Sequence, residues 1–332
     1  ENKGGKLYWI AVCALAAGAY GLPCLNIMLP QIVSVAILVA SVVAGILSVK
    51  PILAFDEYYE VQRQILADML HSMNMGQEMV QEQNRNMISV STQITSRRKG
   101  YEYLNELFVK RHHKILWKSS KLITMISLLI LAGALVLMHS ESGARDGIQK
   151  PIMQSFPYFV FIMYSINRGA GFTRALFANC DHCLLTYSFY KQPKPILKLF
   201  QIRLRELIKI NLLPAFVIAL GLDLLLYVSG GTEQVVNYVI LFVAIIALSI
   251  FFSVHNLTIY YLLQPYNVGT EIKSGMYQVV MWVTYFICFI FIYIRLPLLS
   301  FGILASIFCV AYCIIACGLV YRLAPKTFRV RQ

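Results

Sequence analysis

Charge is scarce in this sequence, and acidic charge is scarcest. Of 332 residues, 14% are charged and 58% are hydrophobic, with 16 Asp and Glu against 29 Lys and Arg. A soluble domain carries roughly 25% charged and 45–50% apolar residues. Too few charges are present here to build a water-facing shell, and the mean hydropathy of +0.64 makes lipid the solvent for much of the surface. The signatures of chemistry are missing too. Gly269–Gly275 lacks the Gly-Lys-Ser/Thr ending that cradles phosphate and magnesium. The sequence has no metalloprotease H-E-x-x-H and no Ser/His/Asp set. The eight cysteines form no secreted disulfide framework, because most lie in apolar runs where Cys acts as a small hydrophobe. No A-x-A site follows the first apolar run, so no cleavable signal peptide is expected. Neither an internal repeat nor a low-complexity tract stands out.

What the sequence does contain is a series of apolar runs near the 17–25 residues that a spanning helix needs. They fall at 7–27, 31–49, 121–139, 152–167, 210–229, 235–254, 276–295 and 300–321. The expected fold is an all-α bundle of about eight transmembrane helices. Basic residues occupy alternate connections: 50–120, 168–209 and the tail are rich in Lys and Arg, whereas 25–31 and 229–234 have none. The positive-inside rule then puts both termini in the cytoplasm. It also explains the net charge of +13 without nucleic acid, which is not an expected partner. The expected divisions are a first hairpin over 1–55, a helical region over 56–118, and a six-helix region over 119–332 that carries the connection 168–209.

Two connections read as amphipathic. Tyr58, Ile65, Leu66, Met69, Leu70 and Met73 recur at helical spacing up to Gly76, where an interruption is expected, and Gln77–Ser96 is polar. From Tyr101 a second helix sets Leu104, Leu107, Phe108, Ile115 and Leu116 against Lys110, Arg111, Lys114 and Lys118. That basic face suits an anionic lipid surface; a solvated face is the alternative. His112 and His113 are adjacent, so they splay apart and read as surface groups. After the break at Lys191–Pro195, Ile196, Leu199, Phe200, Leu204, Leu207 and Ile208 oppose Lys198, Arg203, Arg205 and Lys209.

Three constellations have a chemical reading and a plainer one. Cys180-Asp-His-Cys183 is a C-x-x-C, but zinc needs about four ligands and only His182 stands nearby. Two small residues on a short helix is the plainer reading, and no metal site is expected. Cys309, Cys313 and Cys317 share a face with Gly302 and Ser306, as small residues do where membrane helices approach closely. Asp223 is the acidic residue set well inside an apolar run. An ionisable group there is a coupling-site candidate, although its position near Tyr227 also allows an interfacial placement.

The stretch Asn167-Arg168-Gly169, Arg174 through Asp181, Leu184-Leu185-Thr-Tyr187 and Tyr190, followed by Arg203 and Asn211-Leu-Leu-Pro214, resembles bacterial ABC-2-type exporter permeases. The resemblance covers roughly residues 165–215. It implies a transport subunit of the bacterial cytoplasmic membrane with no enzymatic activity of its own, paired with a second permease as a homodimer or heterodimer. ATP and magnesium would be held by a separate ATPase subunit, with no cofactor in this chain. Phe172, Arg174, Phe177, Asp181, Leu184 and Tyr187 would form the coupling segment that docks the ATPase. Truncating Phe177 and Tyr187 together is then expected to uncouple transport while leaving the fold intact. An amphipathic peptide or lipid-like molecule is the expected substrate class. The competing readings are an ion- or proton-coupled secondary transporter using Asp223 and a membrane thiol enzyme using Cys180 and Cys183.

Overall fold

The computed structural model describes residues 58–87, 95–140, 142–185, 187, 192–267 and 272–329, together with helical positions Val35, Val39, Val42, Val43 and Ile46. The spans expected at 7–27 and 31–49 lie outside the described residues except for those five positions. The chain divides into two compact units, residues 1–80 and 81–332.

Helix α1, Tyr58–Met87, begins in the first unit. It runs through Gly76 without the expected interruption; a lone glycine costs a helix only about 1 kcal/mol. Ile65, Leu66, Met69 and Leu70 are all exposed, so the apolar stripe read from their spacing is not buried by the described residues.

The second unit is helical, and no strand forms among its described residues beyond an isolated antiparallel bridge between Tyr266 and Ile272. Helix α2 is Tyr101–Arg111 and α3 is His113–Ser140. Next come α4, Ser142–Gln154, and α5, Tyr158–Ile166. Helix α6, Gly169–Leu176, continues into a π-turn over Phe177–Asp181 and a last turn α7, His182–Leu184. The long helices α8, Pro193–Val228, and α9, Val235–Leu263, follow, then α10, Gly275–Ile290, and α11, Leu298–Thr327.

Among the described residues, four helices are long and apolar enough to cross a membrane: α3, α8, α9 and α11. These four helices are compatible with a multi-pass membrane protein. Two of the eight expected spans take another form. Residues 152–167 are split by Ser155–Pro157 between α4 and the 9-residue α5, which is too short to span alone. Helix α10 is apolar but has only 16 residues.

Helix α8 joins what the sequence divides into an interfacial helix and a span. Pro193 and Pro195 lie in its first turn, where a missing N–H breaks no hydrogen bond. Its 36 residues extend about 54 Å at 1.5 Å per residue, well beyond a hydrocarbon core of about 30 Å. The half bearing Lys194, Lys198, Arg205 and Lys209 therefore projects beyond the apolar layer and defines a basic end.

Two hydrophobic cores result. One lies among the apolar runs and includes Phe156, Met163, Ala219, Leu226, Leu241, Ile245, Phe252 and Cys309. Here α11 comes close to α9, because Gly302 packs directly against Ile240. The second lies at the basic end, where Phe172, Leu176 and Phe177 meet Leu199, Phe200, Leu207, Tyr260, Tyr261 and Phe328.

The bend between α5 and α6 is closed by side chains. Asn167 turns extended and ends α5. Its Oδ1 accepts from the Gly169 N–H at 2.8 Å and from Asn256 Nδ2 at 3.1 Å. The Arg168 N–H donates to Asn211 Oδ1 at 2.9 Å, and Asn211 Nδ2 donates to Ser253 Oγ at 2.9 Å. Backbone freed at membrane depth must find protein partners, since lipid offers none. A Cβ at Gly169 would run into the Asn256 side chain. Gly169→Ala is therefore expected to destabilise the fold by about 1–3 kcal/mol through overpacking, read as a lower thermal midpoint in detergent. An unchanged midpoint would show that this junction tolerates slack.

Candidate functional site

Three residues of the expected coupling segment, Phe172, Phe177 and Asp181, come together with residues from three other helices. Helix α6 carries Phe172 and Leu176 inward, and the π-turn adds Phe177 and Asp181 to the same buried surface. Asn179 accounts for part of the local irregularity. Its side-chain amide donates to the Ala175 carbonyl at 2.9 Å, a local bond that competes with regular helix pairing. Single π-turns inside helices occur frequently at functional sites.

Asp181 is fully buried and forms an ion pair with Arg203 of α8, itself 1% exposed. The guanidinium grips the carboxylate with both ends of its fork. Nη2 reaches Oδ1, and Nη1 donates to Oδ2 at 2.9 Å. Nη1 also donates to the Tyr261 hydroxyl at 2.6 Å, while Nε donates to Asn105 Oδ1 of α2 at 3.1 Å. Tyr260 completes the carboxylate's shell by donating to Oδ2 at 2.6 Å. Asn105 is anchored in turn by its amide, which donates to the Tyr101 carbonyl at 2.8 Å. A bidentate Arg–carboxylate pair is directional as well as strong. This one ties α2, the π-turn, α8 and α9 into one network. Phe177 closes it on one side by stacking on Tyr266 at 5.2 Å between ring centres.

The structure redistributes the residues singled out by sequence. Phe172, Phe177 and Asp181 are internal, Leu184 is half-buried, and Arg174 and Tyr187 are exposed. Phe177 therefore supports the fold, and its truncation cannot leave the fold untouched. Arg203 leaves the charged face assigned to it and sits among Leu199, Phe200 and Leu207. His112 is buried rather than superficial and ends α2, with Nδ1 2.8 Å from the Phe108 carbonyl. Burial holds its pKa below the usual histidine value.

The basic face also divides. Lys110 is consumed within α2 by an ion pair to Glu106 at 2.8 Å and a bond to the Thr95 carbonyl at 3.1 Å. Hydrogen bonds from Lys110 and Ser96 hold Glu106 below the usual carboxylate range. Arg111 is half-buried, whereas Lys114 and Lys118 remain exposed on α3.

Asp223 lies half-buried on α8, with Oδ1 sheltered and without a hydrogen-bond partner among the described residues. Cys180 is half-buried and Cys183 is exposed. Burial pushes the Cys180 thiol up to about 11, so it is almost wholly protonated at neutral pH and a poor nucleophile. No group of three or more potential metal ligands converges among the described residues.

Sequence reasoning missed Asn105, Tyr260 and Tyr261 as functional neighbours. A signal for Arg203 was present: it lies four residues after Leu199 and four before Leu207, on the apolar face. An arginine there needs a buried acid, and Asp181 is the nearest candidate upstream. Tyr260, Tyr261 and Asn105 carried no such signal, since their partners are distant in sequence. Comparison with family models, curated proteins and solved structures gives no match.

Removing one member of a buried pair leaves an uncompensated charge, at a cost of about 3–5 kcal/mol. Arg203→Ala is expected to lose that much in denaturant unfolding of the detergent-solubilised protein. Asp181→Leu combined with Arg203→Met should recover most of the loss. Failure of the double variant to recover would show that the wider network, rather than the pair, carries the stability.

Proposed function

We propose that this chain is the membrane permease subunit of an ATP-driven exporter, with its basic end in the cytoplasm and its motor on a separate ATPase chain. The observation that carries this reading is the linkage of Asp181 to Arg203 on α8 and Tyr260 on α9. The segment that resembles a coupling helix is fastened by its buried side to two membrane-spanning helices. A displacement of α6 and the π-turn would be passed to α8 and α9, because a bidentate ion pair inside a packed core yields little. The outer side of the same segment presents Arg174 and Tyr187, with Leu184 half-exposed. An exposed aromatic and an exposed cation on one segment suit a groove in a soluble partner. A pair of permeases would enclose the path, and an amphipathic peptide or lipid-like molecule is the substrate class.

The alternative, a secondary transporter coupled through Asp223, draws on its sheltered Oδ1, which has no hydrogen-bond partner among the described residues. It requires Asp223→Asn to abolish transport without any dependence on ATP.

The test is purification of the full chain from its native membrane, scored for a P-loop ATPase and for ATP hydrolysis. Arg174→Glu should leave folded yield and thermal midpoint unchanged. It should weaken ATPase association roughly thirtyfold, the equivalent of about 2 kcal/mol for an interface anchor. Full retention of association and ATP-dependent transport would remove this segment as the docking site. Transport driven by an ion gradient, with no ATPase present, would replace the exporter reading with the Asp223 reading.

A further inference from the structure

The start of α3 gathers basic side chains on one helix face. Lys114, Lys118 and Lys121 lie at i, i+4 and i+7, hence along one face of the helix, and all are exposed. Together with His113 and Trp117 they line a groove on that face. The His113 ring stacks on Trp117 at 5.6 Å between centres. Helix α3 contains no Asp or Glu, and these three lysines make no ion pair with any described residue. Lys110, one turn before Lys114, is neutralised by Glu106. The nearby His112 is buried and held towards its neutral form. Among the described residues, charge without an ion-pair partner therefore runs from the half-buried Arg111 to Lys121, with Lys114, Lys118 and Lys121 as its exposed members.

Beyond Lys121 the same helix presents Leu122, Met125, Ile126, Leu129, Ile130, Val136 and Leu137, all exposed. Of the four spans, α3 is the least enclosed by the protein. The cationic groove thus opens directly onto an exposed apolar face. Trp117 stands at the boundary, where indole rings favour the headgroup layer. A free phosphate would use only the groove, and an acidic protein would have no use for the apolar face below it. A molecule that uses both has an anionic head and hydrocarbon chains.

We infer that the first two turns of α3 form a discrete site for an anionic phospholipid, its phosphate held by Lys114, Lys118 and Lys121 and its chains laid along α3. Each lysine near an anionic lipid surface adds attraction for anionic headgroups, and three on one face select charge more sharply than a dispersed basic patch. The inference stands independently of the exporter reading, since it requires only that α3 lie in a bilayer.

The full chain with Trp9→Phe and Trp282→Phe leaves Trp117 as the sole tryptophan. It is reconstituted in phosphatidylcholine vesicles and titrated with phosphatidylglycerol brominated in its acyl chains, with brominated phosphatidylcholine as reference. Quenching of Trp117 should favour phosphatidylglycerol by roughly tenfold or more, within the ceiling set by three lysines. Lys114→Gln, Lys118→Gln and Lys121→Gln together should bring the preference close to one, whereas Lys110→Gln should preserve it. Three results would each overturn the assignment. The first is equal quenching by both lipids in the parent. The second is an equal loss in Lys110→Gln, which would mark a diffuse charge effect. The third is displacement of the quenching lipid by soluble glycerol phosphate at matched concentration, which would mark a site for free phosphate.

Discussion

The bidentate contact between Asp181 and Arg203 organises the basic end of this protein. Burying an ion pair away from water is costly, and such a pair persists where good geometry and further hydrogen bonds offset the desolvation. Here Tyr260, Tyr261 and Asn105 supply them. The pair therefore sets the position of four elements at once. The π-turn must hold Asp181 inward, α8 must continue past the membrane boundary to present Arg203, α9 must bring its two tyrosines alongside, and α2 must turn Asn105 towards the guanidinium. The second hydrophobic core fills the space around them.

Lipid imposes the complementary constraint on the apolar part. Every backbone group there needs a protein partner, and the break between α5 and α6 obtains its partners from Asn167 and Asn211, with Ser253 and Asn256 of α9 behind them. Where the helices stay regular, small residues set the spacing, as Gly302 does against Ile240. A further polar contact occurs between α9, α10 and α11. His255 Nδ1 lies 2.8 Å from the Tyr312 hydroxyl, and Nε2 lies 3.0 Å from Thr284 Oγ1. These contacts join polar side chains across helices, which fixes neighbouring helices in rotation as well as distance.

The two constraints meet along α8. Its apolar half is bound by the demands of lipid and its basic half by the ion pair, with no break between them. A segment fastened to such a helix cannot shift without disturbing it. For this reason the buried side of α6 and the π-turn matters as much to the proposed coupling as the exposed side that would meet a partner.

The sequence by itself determined the solvent of this protein and the kind of element it uses. Apolar runs with charge confined between them leave helices as the economical structure in lipid, and the runs at 121–139, 210–229, 235–254 and 300–321 each lie within a long apolar helix. The sequence also singled out the 168–209 connection through its mixture of aromatic and charged residues. Only the tertiary structure decided which of those residues face inward. Phe177 and Tyr187 look alike as anchors in sequence, yet one stacks on Tyr266 and the other is exposed. Lys110 and Lys114 look alike as basic groups, yet Glu106 neutralises the first alone. Hydropathy and helical spacing are local quantities, legible over a few turns. The partner of a buried charge is a long-range quantity: Arg203 meets Asp181, Asn105 and Tyr261 only after four helices have packed together.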